Sequence, residues 1–281
     1  MSRAAIRQVD THTHVVAEDE DAYPLDPPRG MTAPWYREDP CSVERLLALM
    51  GEAEVDRAVL VQGISAYGFD NRYTVDSARR FPKHCSSVVH LDLAAPDAAP
   101  DAAGELRRLV RGEGVRGLRW VAFGDTGLAE PSAVWQEAAV LGIPVVVTVL
   151  ADKLDELAAT IPSLPKGIPL ALDHCGFADF SAGVPDALRA LGEFPTLHLK
   201  VSTIALDHLA LHGDVRDGVA ELAACFGADR MMWGSDYSQT HDRPYPELAE
   251  YARRAASRLG ADARGEFLAG TALALWPELA G

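Results

Sequence analysis

A single-domain (β/α)8 barrel of the TIM type, spanning residues 1–281, is the fold class this sequence predicts. Three observations carry it. Eight short apolar, β-branched runs alternate with amphipathic helical stretches. Residues suited to chemistry collect at the C-terminal ends of those runs, the face where barrel enzymes keep their sites. No linker, low-complexity run or internal repeat divides the chain, and one α/β barrel of this length is ordinary.

The predicted strands are 5–10, 56–62, 86–92, 115–121, 143–149, 168–174, 196–202 and 230–236. Each is too short for a helix and is bounded by Gly, Pro or Asp. Between them, residues 42–53 carry an apolar stripe at Val43, Leu46, Leu47 and Met50, the spacing of one helix face. Residues 99–112 and 152–161 behave alike. Residues 244–260 open on prolines and end on glycine, as helices do. A doubly wound open sheet is the competing arrangement. It usually carries a glycine-rich loop after its first strand, where this chain has "DTHTH". Residues from about 15 to 41 form an extended first loop, which a barrel places on its active-site face.

The formal net charge of −15 argues against nucleic acid and anionic membranes as partners, leaving a small-molecule substrate. No apolar run approaches the length of a membrane span. The four cysteines, Cys41, Cys85, Cys175 and Cys225, are scattered and form no CxxC pair. With no apolar leader at the N-terminus, the chain reads as a cytoplasmic protein. Barrels of this size often pair as homodimers.

At the predicted strand ends stand His12 and His14; Gln62, with Ser65 and Tyr67 behind it; His90 and Asp92; Arg119 and Trp120; Thr148; Asp173 and His174; Lys200 and Ser202; and Ser235 and Asp236, followed by Tyr237 and His241. His12 and His14 share one face of a strand, so the two imidazoles can chelate one divalent ion or hydrogen-bond one oxygen. Asp236, closing an apolar strand, needs a histidine or metal partner to offset its burial and then serves as a general base. Trp35, Tyr36, Tyr67, Trp120 and Phe123 could line an aromatic wall or simply pack.

Taken together, "DTHTH", "LALDHCG" and "MMWGSDYS" resemble the amidohydrolase superfamily in its amidohydrolase-related (amidohydrolase 2) branch, the branch of the 2-pyrone-4,6-dicarboxylate lactonases. The likeness runs nearly end to end, through "VLVQ", "DNRYTVDSAR", "GVRGLRW", "LKVS" and "ALALWP". It implies a hydrolase that opens a lactone of a small carboxylated acid with activated water. By the same resemblance, Asp236 is the base, His174 orients or polarises the scissile carbonyl, and His12 and His14 bind a metal or touch substrate. Arg119 holds a substrate carboxylate. From their strand-end positions, Gln62, Ser65, Tyr67 and Lys200 are expected to complete the pocket; Tyr237 and His241 stand where the chain departs from the family's pattern and are expected to shape the pocket, with His241 also a candidate extra ligand.

The cofactor expected is one divalent metal, zinc by its histidine and aspartate donors, held by His12, His14, His174 and Asp236; a metal-free route through Asp236, the histidines and Arg119 stays open. Strands four and five lack the further ligand of a binuclear site, which also weakens the alternative of a mononuclear metal-dependent decarboxylase of an aromatic or enoic acid. A non-catalytic binding barrel is the second alternative. Asp125 and Leu206 stand where further substrate-gripping arginines are expected, implying a less anionic substrate.

Overall fold

The structure, a computed structural model, describes residues 6–28, 33–93, 98–123, 128 and 132–281. Eight parallel strands follow one another around a sheet in chain order: β1 (Val9–Thr13), β2 (Arg57–Val61), β3 (Cys85–His90), β4 (Leu118–Ala122), β5 (Val145–Val149), β6 (Leu170–Leu172), β7 (Leu197–Ser202) and β8 (Met231–Gly234). The Asp236 amide donates to the His12 carbonyl at 2.8 Å, and Thr13 bridges Tyr237, which brings β8 round to β1. The result is the expected (β/α)8 barrel.

The expected helices lie at Val43–Ala53, Ala98–Glu113, Leu154–Thr160 and Tyr245–Ala255. Ser42 caps the first, its hydroxyl accepting from the Arg45 amide. Among the described residues no helix is long and apolar enough to cross a membrane.

β1 starts later than the 5–10 expected and runs through the polar "DTHT". Those side chains are satisfied from far along the chain. Asp10 Oδ1 accepts from the Ser235 amide at 2.8 Å, and the Thr11 hydroxyl donates to the Trp233 carbonyl at 2.6 Å. The β1–β2 register shifts between Asp10 and Thr13. Such irregularities re-aim side chains beside active sites.

Val9, Val59, Val61, Val88, Val146, Ala171 and Met232 form an inner core with the C-terminal residues Ala272, Leu275, Trp276 and Leu279. Trp276 Nε1 donates to the Arg116 carbonyl, just before β4, so this segment plugs the barrel end opposite the site. A larger apolar layer packs the helices on the barrel's outside. Trp120 belongs there. Alternation along β4 sends it away from Arg119, and it stacks on Trp135 with centroids 5.1 Å apart.

Candidate active site

His12, His14 and Asp236 meet at the junction of β1 and β8. One ligand atom from each lies within 4.8 Å of the others, and all three residues are buried. Gly234 permits the approach: a Cβ there would sit 2.7 Å from His12 Cβ. Asp236 turns its backbone into the left-handed region (φ 62°), and its Oδ2 accepts from Thr240 Oγ1 at 3.2 Å. Its Oδ1 lies 3.4 Å from His14 Nε2 and 3.6 Å from His12 Nε2.

The outer nitrogens decide what those atoms are. His14 Nδ1 lies 2.8 Å from the Val61 carbonyl, which can only accept, so Nδ1 carries the hydrogen. His12 Nδ1 stands 3.0 Å from Asp173 Oδ1 and donates to it. In the neutral rings both Nε2 atoms are lone pairs turned towards a carboxylate oxygen. His12 Nε2 and Asp236 Oδ1 are fully buried without a hydrogen-bond partner. Three acceptors facing one another with no donor between them suit a cation. The His12–Asp173 pair is the usual way to orient a metal-bound imidazole. Two histidines and a carboxylate suit zinc or manganese better than calcium.

Asp173 is the hub behind this cluster. Its Oδ1 also faces Lys200 Nζ at 3.2 Å; its Oδ2 accepts from Thr148 Oγ1 at 2.7 Å and lies 3.4 Å from Arg119 Nε. Burial alone would raise its carboxyl, but His12, Lys200 and Arg119 hold it well below the ordinary carboxylate range. Burial lowers Lys200, which the paired Asp173 partly offsets. Arg119 spends Nε on Thr148 and Nη1 on the Gln62 carbonyl, at 3.1 and 3.2 Å. A two-pronged grip on a substrate through those nitrogens would displace protein partners.

His174 joins from the end of β6. Its ring lies 4.7 Å from that of His12 (centroid to centroid), and its Nδ1 lies 2.8 Å from the Ser202 hydroxyl. His174, Cys175, Gly176 and Phe177 all adopt left-handed backbone angles, a sharp turn that swings the imidazole to the barrel mouth. Four such residues in a row are costly, and strain of this kind collects at functional sites. At Gly176 a Cβ would come within 2.5 Å of Leu154. Burial lowers both His12 and His174 below the usual imidazole pKa, keeping them neutral and able to ligate or accept protons. Burial would push Asp236 up, but the three imidazoles packed around it hold its carboxyl below the ordinary carboxylate range, so it stays ionised.

The other sequence-predicted residues lie around the mouth with their side chains committed elsewhere. Gln62 accepts from Thr74 and donates to the Gly68 and Asp70 carbonyls. Ser65 accepts from Trp35 Nε1 at 2.7 Å, and Trp35 lies against His14 with centroids 5.4 Å apart. Tyr36 packs edge-on to Trp35. The Tyr67 hydroxyl accepts from the Ala17 amide, and burial pushes its pKa up to about 12. Tyr237 donates to Asp39, and His241 Nε2 pairs with Glu38 at 3.2 Å. These contacts clasp the first loop, whose ends meet where the Val16 amide donates to the Cys41 carbonyl. His241 therefore stands apart from the His12–His14–Asp236 cluster. Leu206 is core, fully buried. Phe123 is partly exposed past β4, and Asp125 lies outside the described residues.

Sequence reasoning passed over the role of Asp173, although "LDH" placed it beside His174. The signal was the lone acidic residue ending an apolar strand, which needs cations near it.

The family model for amidohydrolases matches residues 9–277, nearly the whole barrel. The chain belongs to the amidohydrolase family. Among curated proteins, this amidohydrolase is 28% identical to the L-fucono-1,5-lactonase of Burkholderia ambifaria, over 94% of this chain and 93% of the relative. Among solved structures it resembles a Pseudomonas putida protein assigned as a 2-pyrone-4,6-dicarboxylic acid hydrolase (22% identity, TM-score 0.76, 98% of each chain). It also resembles a zinc-bound amidohydrolase of Burkholderia multivorans (22% identity, TM-score 0.71, 96% and 99% of the two chains). At those identities the structural likenesses speak for the fold.

Proposed function

We propose that this amidohydrolase opens a lactone of a small organic acid, with one divalent ion, zinc by donor type, held by His12, His14 and Asp236. The observation that carries the reading is the set of buried, donorless acceptor atoms at the β1–β8 junction. Family membership points to hydrolysis, and the lactonase relative to an ester rather than an amide bond. When bound, the ion supplies Lewis acidity, polarising the ester carbonyl and lowering the pKa of a neighbouring water towards about 7.

The chain's own residues do the rest. Asp236, held ionised, accepts the proton of the attacking water. His174, neutral and braced by Ser202, orients the carbonyl, and the proton taken up by Asp236 passes to the ring oxygen as it leaves. Asp173 fixes the His12 tautomer. Arg119, at the edge of this network, offers positive charge to a carboxylated substrate. Trp35, carried by the first loop, packs against His14 and helps exclude water from that side of the site. The reading places the protein in the cytoplasm, where its unpaired cysteines stay reduced.

The test is ring-opening followed by proton release in weakly buffered indicator dye. Aldonolactones and carboxylated lactones serve as substrates, with protein stripped of metal and then reloaded with zinc. Zinc-restored turnover supports the reading. Turnover unaffected by stripping moves the histidines to substrate contacts and removes the metal. Carbon dioxide release from aromatic or enoic acids, without lactone opening, replaces it with the decarboxylase alternative.

A further inference from the structure

Beside His174 a cavity of about 430 Å³ opens between the β6 turn and the helix Thr203–His212 that follows β7. Its size falls within the range of small-ligand sites, about 300–1,000 Å³. His174 lines it, so it is continuous with the reaction centre. Phe177, Phe180, Ile204 and Leu211 supply its walls. The Phe177 ring lies 4.8 Å from the His174 ring, fixing one wall against the group that faces the scissile bond.

Besides His174, two polar side chains stand at this cavity, Asp207 and His208, and each already has a hydrogen-bond partner. Asp207 is paired with Arg243 through both carboxylate oxygens. His208 Nδ1 lies 3.4 Å from the Phe180 amide, and its Nε2 is 3.9 Å from Asp179. A polyhydroxylated ring placed here would lose water without gaining hydrogen bonds on most sides, and such unpaired polar groups are costly. An alkyl or aryl group would gain contact with two phenyl rings and two branched aliphatic side chains. Leu211 is 77% exposed, so an apolar occupant would also cover surface that water now meets.

The geometry points to an apolar substrate subsite: the preferred lactone carries an alkyl or aryl substituent that packs between Phe177, Phe180, Ile204 and Leu211 while its carbonyl lies at His174. This rests on the lactone reading above and narrows its substrate class from hydrophilic sugar lactones to lactones with an apolar arm.

The experiment compares δ-lactones bearing hydrogen, methyl, propyl, pentyl or phenyl substituents with a polyhydroxylated δ-lactone, using the zinc-loaded protein. Alongside, binding of the matching non-hydrolysed δ-lactams is measured by calorimetry, on wild type and on Ile204→Asn. The expected result is a rise in kcat/KM of up to about fourfold per added CH2 until the cavity fills. Lactam affinity should follow the same trend, and in Ile204→Asn the pentyl-to-methyl ratio should collapse towards one. Efficient opening of the polyhydroxylated lactone with no gain along the alkyl series overturns the subsite and leaves the lactonase reading standing. A chain-length gain in lactam binding that Ile204→Asn abolishes, with no lactone opened, supports the subsite and sinks the lactonase reading. Absence of both gains and of all turnover overturns both.

Discussion

Asp173→Asn tests the hub behind the candidate metal site. The carboxylate receives His12 Nδ1 at 3.0 Å, Lys200 at 3.2 Å and Thr148 at 2.7 Å, with Arg119 at 3.4 Å. An amide keeps one acceptor oxygen and turns two N–H donors towards groups that are themselves donors. Lys200 and Arg119 would then share no counter-charge, and Lys200 is fully buried. Removing one partner of a buried ion pair costs about 3–5 kcal/mol. At roughly 2–4 °C per kcal/mol for a domain approaching this size, Tm should fall on the order of 10 °C.

Loss of a carboxylate behind a metal-bound imidazole weakens metal affinity or activity about 10- to 100-fold. The two effects separate in the double variant Asp173→Asn/Lys200→Met. Removing the orphaned ammonium should restore most of the Tm, but His12 stays misaligned, so zinc affinity and kcat/KM should stay low. Thermal unfolding, zinc competition against a chromophoric chelator and the proton-release assay read the three quantities. Zinc affinity and kcat/KM within twofold of wild type in Asp173→Asn would refute the idea that this carboxylate sets His12.

Asp236→Asn should lower kcat at least a hundredfold with the fold retained; near-normal turnover from protein of the correct mass removes it as the base. Arg119→Met should lower kcat as well as raise KM, because Arg119 also braces Asp173 and Thr148; a change in KM alone would show a pure substrate anchor. Gly234→Ala should abolish zinc binding through its clash with His12, with far-ultraviolet dichroism unchanged; retained zinc affinity would show that β1 can shift freely. His90 is buried, which lowers its pKa to about 4 from 6.5. An unfolded chain therefore binds one more proton than the folded one between those values, and stability present above pH 6.5 should drain away as pH falls towards 4. That window is worth about 3 kcal/mol. His90→Gln should flatten the slope of unfolding free energy against pH by about one proton, and comparison with wild type cancels the opposite slope from Asp10, which burial raises to about 6. An unchanged slope would refute the assignment.

The barrel was legible because its information is local. Eight β-branched runs announce eight strands, and alternation within "RW" sends Arg119 inward and Trp120 out onto Trp135. β1 was misplaced because the partners that make "DTHT" a strand, Ser235 and Trp233 among them, lie more than 200 residues away. The convergence of His12, His14 and Asp236 could be anticipated from strand ends alone. The hub role of Asp173 could not, since it depends on four side chains from four different strands. Tyr67, Tyr237 and His241 were placed at the mouth, but side-chain direction in a loop follows no period. They turned to the first loop instead. The left-handed run at 174–177 had only Gly176 to announce it.

The reaction centre sits on the seam where the barrel closes. His12 and Asp236 belong to the first and last strand regions, joined by the Asp236 amide on the His12 carbonyl. No contiguous part of the chain short of both regions holds the full ligand set. During synthesis the chemistry cannot begin until the last strand region has been made and docked on the first. Metal capture and turnover should thus appear together, as late events in folding.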